Sequence, residues 1–463
     1  MALMSLQDAV FLLPETREQP MHVGGLQLFQ RPEGAGRDFL NDMHAELVAV
    51  DDVAPIFRRR AYRSVSTLGQ WAWEEDIDLD LEHHVRHSAL PRPGRIRELL
   101  ALTSRLHSTL LDRHRPLWEM HLIEGLQDDR FAIYFKLHHA VMDGVHGLRL
   151  MQKSLKTDPD DLSLCAPYLP RVTASQGGGA GFSPLALPGI LAGAARDVVS
   201  DAISFAPAVL QTAERLVREQ AAALPTVAPR TILNGPITGS RRFAAQSWPI
   251  VRLREVAKAA GMTLNDVVLA MCSGALREYL DEQGELPDAP LLAMVPVSLA
   301  LRSDGPESTH GNNIGAIIAN LATDEPDAGR RLELINQSVS EGKERLASMS
   351  RLAVLATSGI SMAPIAMSAF FGINRLMPPP FNLVISNVPG PKQPLWMQGA
   401  RLDAFYPLSI PSGGQALNIT VTSYVDSMEF GLTGCRRHVP HLQRLLTHLE
   451  SSLADLEKAL GLT

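Results

Sequence analysis

The segment Leu137-His138-His139-Ala140-Val141-Met142-Asp143-Gly144 holds the residue types best suited to chemistry. Two adjacent histidines end an apolar, strand-like run. Strand side chains alternate between faces, so only one of the two rings can enter a given cavity. Imidazole is the side chain best poised to take a proton near neutral pH. A carboxylate four residues after His139 can orient a ring or lock the loop. Gly144 permits a tight backbone approach where the next helix opens. A bare His-His pair reads as a satisfied core histidine beside a helix N-cap aspartate. The full His-His-x-x-x-Asp-Gly string at a strand-to-helix junction favours general-base chemistry.

Three further strings stand out, and each has a structural reading beside a functional one. Pro116-Leu117-Trp118 lies upstream and can start a strand and bury an indole. Asn265-Asp266-Val267-Val268 opens a helix. Thr263 is a plausible N-cap with Asp266 three residues on, so this pair either caps the helix or serves the site. Ser386-Asn387-Val388-Pro389-Gly390-Pro391 follows a late strand. Pro389-Gly390 suits a type II turn, which can also shape a tunnel.

In this order, the four strings resemble the bacterial wax ester synthase/diacylglycerol acyltransferase family. That family lies in the CoA-dependent acyltransferase superfamily, with chloramphenicol acetyltransferase-like enzymes and peptide-synthetase condensation domains. The resemblance runs from Met21-His22-Val23-Gly24 to Gly434-Cys435-Arg436. It implies a mixed α/β (α+β) fold: two chloramphenicol-acetyltransferase-like mixed-sheet domains, a long crossover, and an active-site tunnel between them. It also implies acyl transfer from acyl-CoA to a fatty alcohol, giving a wax ester, or to diacylglycerol, giving a triacylglycerol.

On that reading His139 takes the hydroxyl proton as the alcohol oxygen attacks the thioester, and the leaving CoA thiolate receives it. No nucleophilic Ser or Cys motif is present, so direct attack is preferred to an acyl-enzyme. Asn265 is the candidate polar contributor near the oxyanion. His138 and Asp143 are structural, and the resemblance has Asp143 face away from substrate and pair with an arginine of the second half. Arg302 is the candidate, with Ala300 and Leu301 between it and the Ser298-Leu299 pair that such an arginine usually follows. Pro116, Leu117, Trp118, Asp266, Ser386, Asn387, Pro389 and Gly390 are the candidate substrate-contacting positions. No permanently bound cofactor and no metal are expected. The alternatives are a related acyltransferase with a small alcohol or amine acceptor, and a non-catalytic lipid-binding or lipid-droplet protein.

Composition narrows the classes. The 463-residue chain is 45% hydrophobic and carries a net charge of −7, which argues against a nucleic-acid partner. Cys165, Cys272 and Cys435 are odd in number and far apart, with no disulfide framework or zinc spacing. No basic n-region precedes an apolar run near Asp8 and Glu15, so no signal peptide is expected and a cytoplasmic location fits. The His83-His84-Val85-Arg86-His87 cluster lacks a carboxylate-glycine sequel. The glycines at 177–181 lack a following Lys-Ser/Thr, so they are not a phosphate loop. Leu352 to Asn374 is free of charge and long enough to span a bilayer, but its polar residues and Pro364 favour a buried, kinked helix or a lipid-facing element. Lipophilic substrates imply peripheral contact with a membrane or lipid droplet. The candidate contacts are Leu352 to Phe371 and the basic run Arg58-Arg59-Arg60 with Arg63, beside Ile56 and Phe57. That run also suits CoA phosphates or a solvated face.

Several elements must position these residues. Strands are expected at 23–30, 118–126, 131–137, 291–297, 314–321, 382–386, 416–424 and 427–432. Helices are expected at 39–50, 97–111, 143–154, 264–282, 327–349 and 439–460. A Pro/Ser/Gly-rich linker runs from Asp158 to Phe182, followed by Ala-rich helical material. The divisions are therefore 1–157, the motif-bearing half; 158–239, the crossover; and 240–463, the second half.

Overall fold

Alternating apolar runs give fifteen strands among the described residues, which in this computed structural model are 2–64, 67, 69–170, 228–298, 314–348 and 379–462. They are β1 (Ala2–Leu3), β2 (His22–Gln30), β3 (Arg59–Arg63), β4 (Trp71–Glu75), β5 (Val85–Ala89), β6 (Trp118–Leu126), β7 (Arg130–His138), β8 (Arg241–Pro249), β9 (Leu292–Ser298), β10 (Ile314–Asn320), β11 (Leu383–Val388), β12 (Trp396–Met397), β13 (Ala400–Leu408), β14 (Leu417–Tyr424) and β15 (Ser427–Cys435). The first large sheet has the order β12-β13-β2-β7-β6-β5, and the second β10-β9-β11-β14-β15-β8. A small sheet, β1-β4-β3, flanks the first. The β5–β6, β9–β11 and β11–β14 pairs are parallel and the rest antiparallel, so both large sheets are mixed, as expected.

The motif histidines sit at the end of a hairpin. β6 and β7 pair antiparallel around the polar turn at 127–130, where Asp128 and Asp129 take positive φ. β2 lies on the other side of β7, with His22 opposite His138. One face of this sheet packs on the helices Phe39–Val48 and Gly144–Lys153. The other face carries Leu26, Leu28, Ala132 and Tyr134. It meets the helix Ile96–His107 and Phe243 and Ala245 of β8, so this core layer joins the two sheets. The far face of the second sheet is covered by the helices Ile250–Ala260, Leu264–Glu282, Ala328–Ser348 and Arg444–Ala459.

Four features depart from expectation. β13, late in the chain, inserts between β12 and β2 of the first sheet, with Phe405 opposite Gln27. A bulge between Leu402 and Ala404, together with Pro407, breaks the period-two pattern that would have marked it. Residues 158–170 are not a loose linker. Tyr168 is fully buried, donates to the Leu47 carbonyl at 2.8 Å and stacks on Trp118. The closing helix begins at Arg444 rather than Val439, after Pro440 and a positive φ at His441. Finally, β5, β8, β12 and the small sheet were not foreseen: β1, β3, β4, β5 and β12 are five residues or shorter, and β8 mixes Arg241, Arg242, Gln246 and Ser247 with its apolar residues. The glycine-rich 177–181 stretch, the Ala-rich material after it, Arg302 and the 352–374 stretch lie outside the described residues.

Candidate active site

β7 delivers His138 and His139 to a junction closed by the next helix. The His138 N–H donates to the Leu117 carbonyl and the His139 N–H to the Met21 carbonyl, both at 2.9 Å. The two backbone amides are therefore tied to the segments that enter β6 and β2, one on either side. His138 is completely buried. The Ala140 N–H donates to its Nδ1 at 3.0 Å, so that nitrogen carries the lone pair and the ring proton belongs on Nε2. Nε2 faces Glu15 Oε1 at 3.3 Å.

Glu15 is the functional residue that sequence reasoning missed. Its side chain is 1% exposed. It accepts from the Met21 N–H at 3.0 Å and from Arg113 Nε and Nη2 at 3.1 and 3.0 Å. Burial opposes its ionisation, but His138, the Met21 amide and Arg113 outweigh it and hold the carboxyl below its usual range. Met21 thus donates its N–H to Glu15 and accepts the His139 N–H at its carbonyl, linking the carboxylate to the backbone of His139. A lone glutamate with no motif partner leaves no spacing signal to find.

His139 is partly open. Phe11 of the helix Leu6–Leu12 stacks on its ring, with centroids 3.9 Å apart and planes at 27°. Burial pulls the imidazole pKa down to about 4. The Asp143 charge opposes that shift and His138 adds to it. The ring is therefore neutral at pH 7, with a lone pair to offer. Its Nδ1 is buried and has no hydrogen-bond partner among the described residues.

Asp143 caps the helix Gly144–Lys153: Oδ1 accepts from the His146 N–H at 2.9 Å. Oδ2 accepts from His146 Nδ1 at 2.7 Å. Burial opposes ionisation of Asp143, but the His146 bonds prevail and its pKa is lowered, while that of His146 is raised chiefly by the same bond. Among the described residues the partner of Asp143 is thus a histidine one turn on. Gly144 does not serve a tight approach, because an added Cβ would meet only Val23 Cγ1, at 3.8 Å.

Pro116-Leu117-Trp118 supports this junction from below. Leu117 and Trp118 are buried. The indole donates to the Phe57 carbonyl at 2.9 Å and stacks on His84 with centroids 4.5 Å apart. The histidine cluster at 83–87 is structural in the same way. His84 Nδ1 donates to the Trp118 carbonyl at 2.7 Å, and burial lowers its pKa to about 4. No group of metal-ligand geometry occurs among the described residues.

The remaining candidates belong to the second sheet. Asn387 Nδ2 donates to Asn265 Oδ1 at 3.4 Å, so these two sequence-distant residues do meet. Asp266 forms a capping box with Thr263, accepting from its N–H at 2.9 Å and its hydroxyl at 2.6 Å, and also from Asn336 Nδ2 at 3.0 Å. Its carboxylate therefore ties two helices together and is committed to structure. Ser386 pairs with Thr420 inside the parallel β11–β14 ladder. Gly390 is not in the positive-φ region, so Pro389-Gly390 is not a type II turn. Glycine is needed there because a Cβ would overlap the Ser423 carbonyl oxygen, and the Gly390 N–H donates to Ser423 Oγ at 3.0 Å.

The basic run is largely neutralised. Arg58 pairs with Glu75 at 3.3 Å and Arg60 with Glu74 at 2.8 Å, while Arg59 lies over the Trp73 ring. Phe57 beside it is core. Among the described residues no single helix is long and apolar enough to cross a membrane. The one bent pair that passes by composition, Ile250–Ala260 with Leu264–Glu282, packs in the core of the second half.

Comparison with known proteins gives consistent matches. Residues 4–268 match the model of the wax ester synthase/diacylglycerol acyltransferase catalytic domain, and 310–457 that of the WS/DGAT C-terminal domain. The Mycobacterium tuberculosis protein named probable diacylglycerol O-acyltransferase tgs2 is 48% identical over 100% of both chains. The O-acyltransferase WSD of Acinetobacter baylyi is 44% identical, covering 97% of this chain and 96% of its own. Among solved structures, the wax ester synthase/diacylglycerol acyltransferase from Marinobacter aquaeolei VT8 matches with a TM-score of 0.80 at 43% identity over 100% of both chains. The first condensation domain of the calcium-dependent antibiotic synthetase shares the fold, with a TM-score of 0.55 at 16% identity over 99% and 95% of the two chains.

Proposed function

The chain belongs to the wax ester synthase/diacylglycerol acyltransferase family, and from that premise we propose that His139 is the general base of its acyl transfer. The enzyme moves a long-chain acyl group from acyl-CoA to the hydroxyl of a fatty alcohol, of diacylglycerol, or of both. The observation that carries the proposal is the His139 ring: partly open, neutral at pH 7, and carried on a backbone whose N–H is tied to the Met21 carbonyl. Nε2 takes the hydroxyl proton as the oxygen forms its bond to the thioester carbonyl carbon. The tetrahedral intermediate collapses, the C–S bond breaks, and the imidazolium returns the proton to the CoA thiolate. The products are an ester and free CoA. General-base catalysis of this kind contributes roughly 10²–10⁴ in rate.

Asn265 supplies an oxyanion donor in this scheme. The amide orientation that presents Oδ1 to Asn387 leaves its Nδ2 hydrogens for the developing charge, a contribution on the order of 10²–10³. His138, Glu15, Arg113 and the Pro116-Leu117-Trp118 strand start hold the base in place. Asp143 caps the helix behind it.

Contact with lipid is peripheral in this reading. Leu3, Leu13 and Ile77 are 66%, 51% and 83% exposed and flank the N-terminal helix and the small sheet. They offer the local apolar surface that a chain of net charge −7 needs at a bilayer or lipid inclusion.

Palmitoyl-CoA with a panel of acceptors tests the function: hexadecanol, diacylglycerol, a short alcohol and a primary amine. Thiol release and product ester are read together. Turnover with a long-chain alcohol or diacylglycerol, abolished in His139→Ala, supports the reading. Turnover with the amine or short alcohol alone would overturn the acceptor class, and wild-type turnover in His139→Ala would overturn the base.

A further inference from the structure

We infer that Phe11 is a positioning residue of this active site: stacked on His139, it fixes the plane of the imidazole and closes one of its faces, so substrate meets the ring at its Nε2 edge. The inference rests on the assignment of His139 as the base. The ring contact is close, with centroids 3.9 Å apart and planes at 27°. It matters because, among the described residues, His139 has little else to hold its ring. The backbone hydrogen bond to Met21 fixes the Cα, whereas Nδ1 makes no well-formed hydrogen bond. Rotation about χ2 is therefore limited by packing, and a flat aromatic ring face to face sets that torsion directly.

The helix that carries Phe11 is tied at both ends. Ser5 Oγ accepts from the Asp8 N–H at 3.1 Å at its start. Arg113 Nη2 donates to the Leu12 carbonyl at 3.0 Å at its end, and the same guanidinium holds Glu15. Before the helix, the Met4 N–H donates to the Trp71 carbonyl at 3.0 Å, and β1 pairs with β4. Phe11 is thus delivered by an anchored segment. The titratable groups facing His139 are Asp143 and His138, and neither is on this helix. Asp8 of the helix faces Arg59 instead. Removing the Phe11 ring therefore changes the cover over His139 and leaves its charged neighbours in place.

The test compares Phe11→Ala, Phe11→Leu and Phe11→Tyr with wild type in the palmitoyl-CoA thiol-release assay from pH 4.5 to 8, with His139→Ala as control. In Phe11→Ala, kcat falls about tenfold while KM for palmitoyl-CoA stays within about twofold, the loss of one ring contact that acts on orientation alone. Its acid limb moves upward, toward the ordinary histidine value of 6.5. Phe11→Leu keeps cover without a ring, so kcat falls and the acid limb stays low. Phe11→Tyr restores both. Unchanged kcat and acid limb in folded Phe11→Ala overturn the inference. So does a loss that merely tracks the fraction of folded protein, measured by thermal melt. If His139→Ala itself turns over like wild type, the assignment of the base has failed instead, and the two failures are told apart.

Discussion

Glu15→Gln and Glu15→Ala probe how the histidine pair is held. The carboxylate is 1% exposed and accepts three hydrogen bonds, one from Met21 and two from Arg113, while facing His138 Nε2 at 3.3 Å. Breaking one member of a buried charged network costs about 3–5 kcal/mol. Arg113 is 35% exposed, so water recovers part of its loss. We therefore expect about 3 kcal/mol for Glu15→Ala, which also orphans the Met21 amide. Glu15→Gln keeps an acceptor for that amide and loses only charge, for about 2 kcal/mol. Urea unfolding followed by tryptophan fluorescence measures both, since Trp71 lies against the Arg113 guanidinium at 5.9 Å. Turnover should fall in each variant, because the Met21 carbonyl that accepts from His139 belongs to the peptide unit beside the one Glu15 holds. The pH dependence gives the sign. Glu15 has its pKa lowered by folding, so its stabilisation is present above its unfolded value near 4.5 and is lost as pH falls through the lower folded value. The gap between wild type and Glu15→Gln should close as the pH drops below that window. A Glu15→Gln protein within about 0.5 kcal/mol of wild type, with full turnover, would refute the reasoning.

Further outcomes follow from the same geometry. His139→Ala should fold normally and lose catalysis by roughly 10²–10⁴, checked by thermal melt and thiol release. Asp143→Ala should cost about 1–2 kcal/mol, the range of a lost N-cap, and Asp143→Asn less, because an amide still caps; urea midpoints decide. The Asp143–His146 pair contributes most between the two titrations. It weakens as pH falls through the lowered Asp143 value and as pH rises through the raised His146 value, which a pH series of melts will show. Gly390→Ala should unfold the protein or sharply lower its melting temperature, whereas Gly144→Ala should melt no lower than wild type.

Most of the local architecture was legible because its signals are local. The β6–β7 hairpin, the 264–282 helix and the Asp143 cap follow from alternation, periodicity and capping chemistry. Thr263 and Asp266 announced their capping box, although only the structure shows Asn336 sharing the carboxylate. What stayed hidden is long-range. Glu15 acquires its role from Arg113, Met21 and His138, and no spacing rule joins them. Gly390 looked like a turn residue because Pro-Gly is a strong turn signal, while the actual constraint is a neighbouring strand's carbonyl. Arg58 and Arg60 looked like a basic surface because their acidic partners lie on another strand.

The insertion of β13 beside β2 carries a consequence for synthesis. β2 and β7 leave the ribosome early, but the strand that covers the outer edge of β2 is made hundreds of residues later. At about 5–20 residues per second, that backbone edge waits roughly 20 to 75 seconds for its partner. During that interval its amides and carbonyls form an unpaired, mostly apolar template for other chains. The nascent chain should therefore engage a holding chaperone until residue 408 has emerged, and a fragment ending before β12 should aggregate rather than fold as half an enzyme.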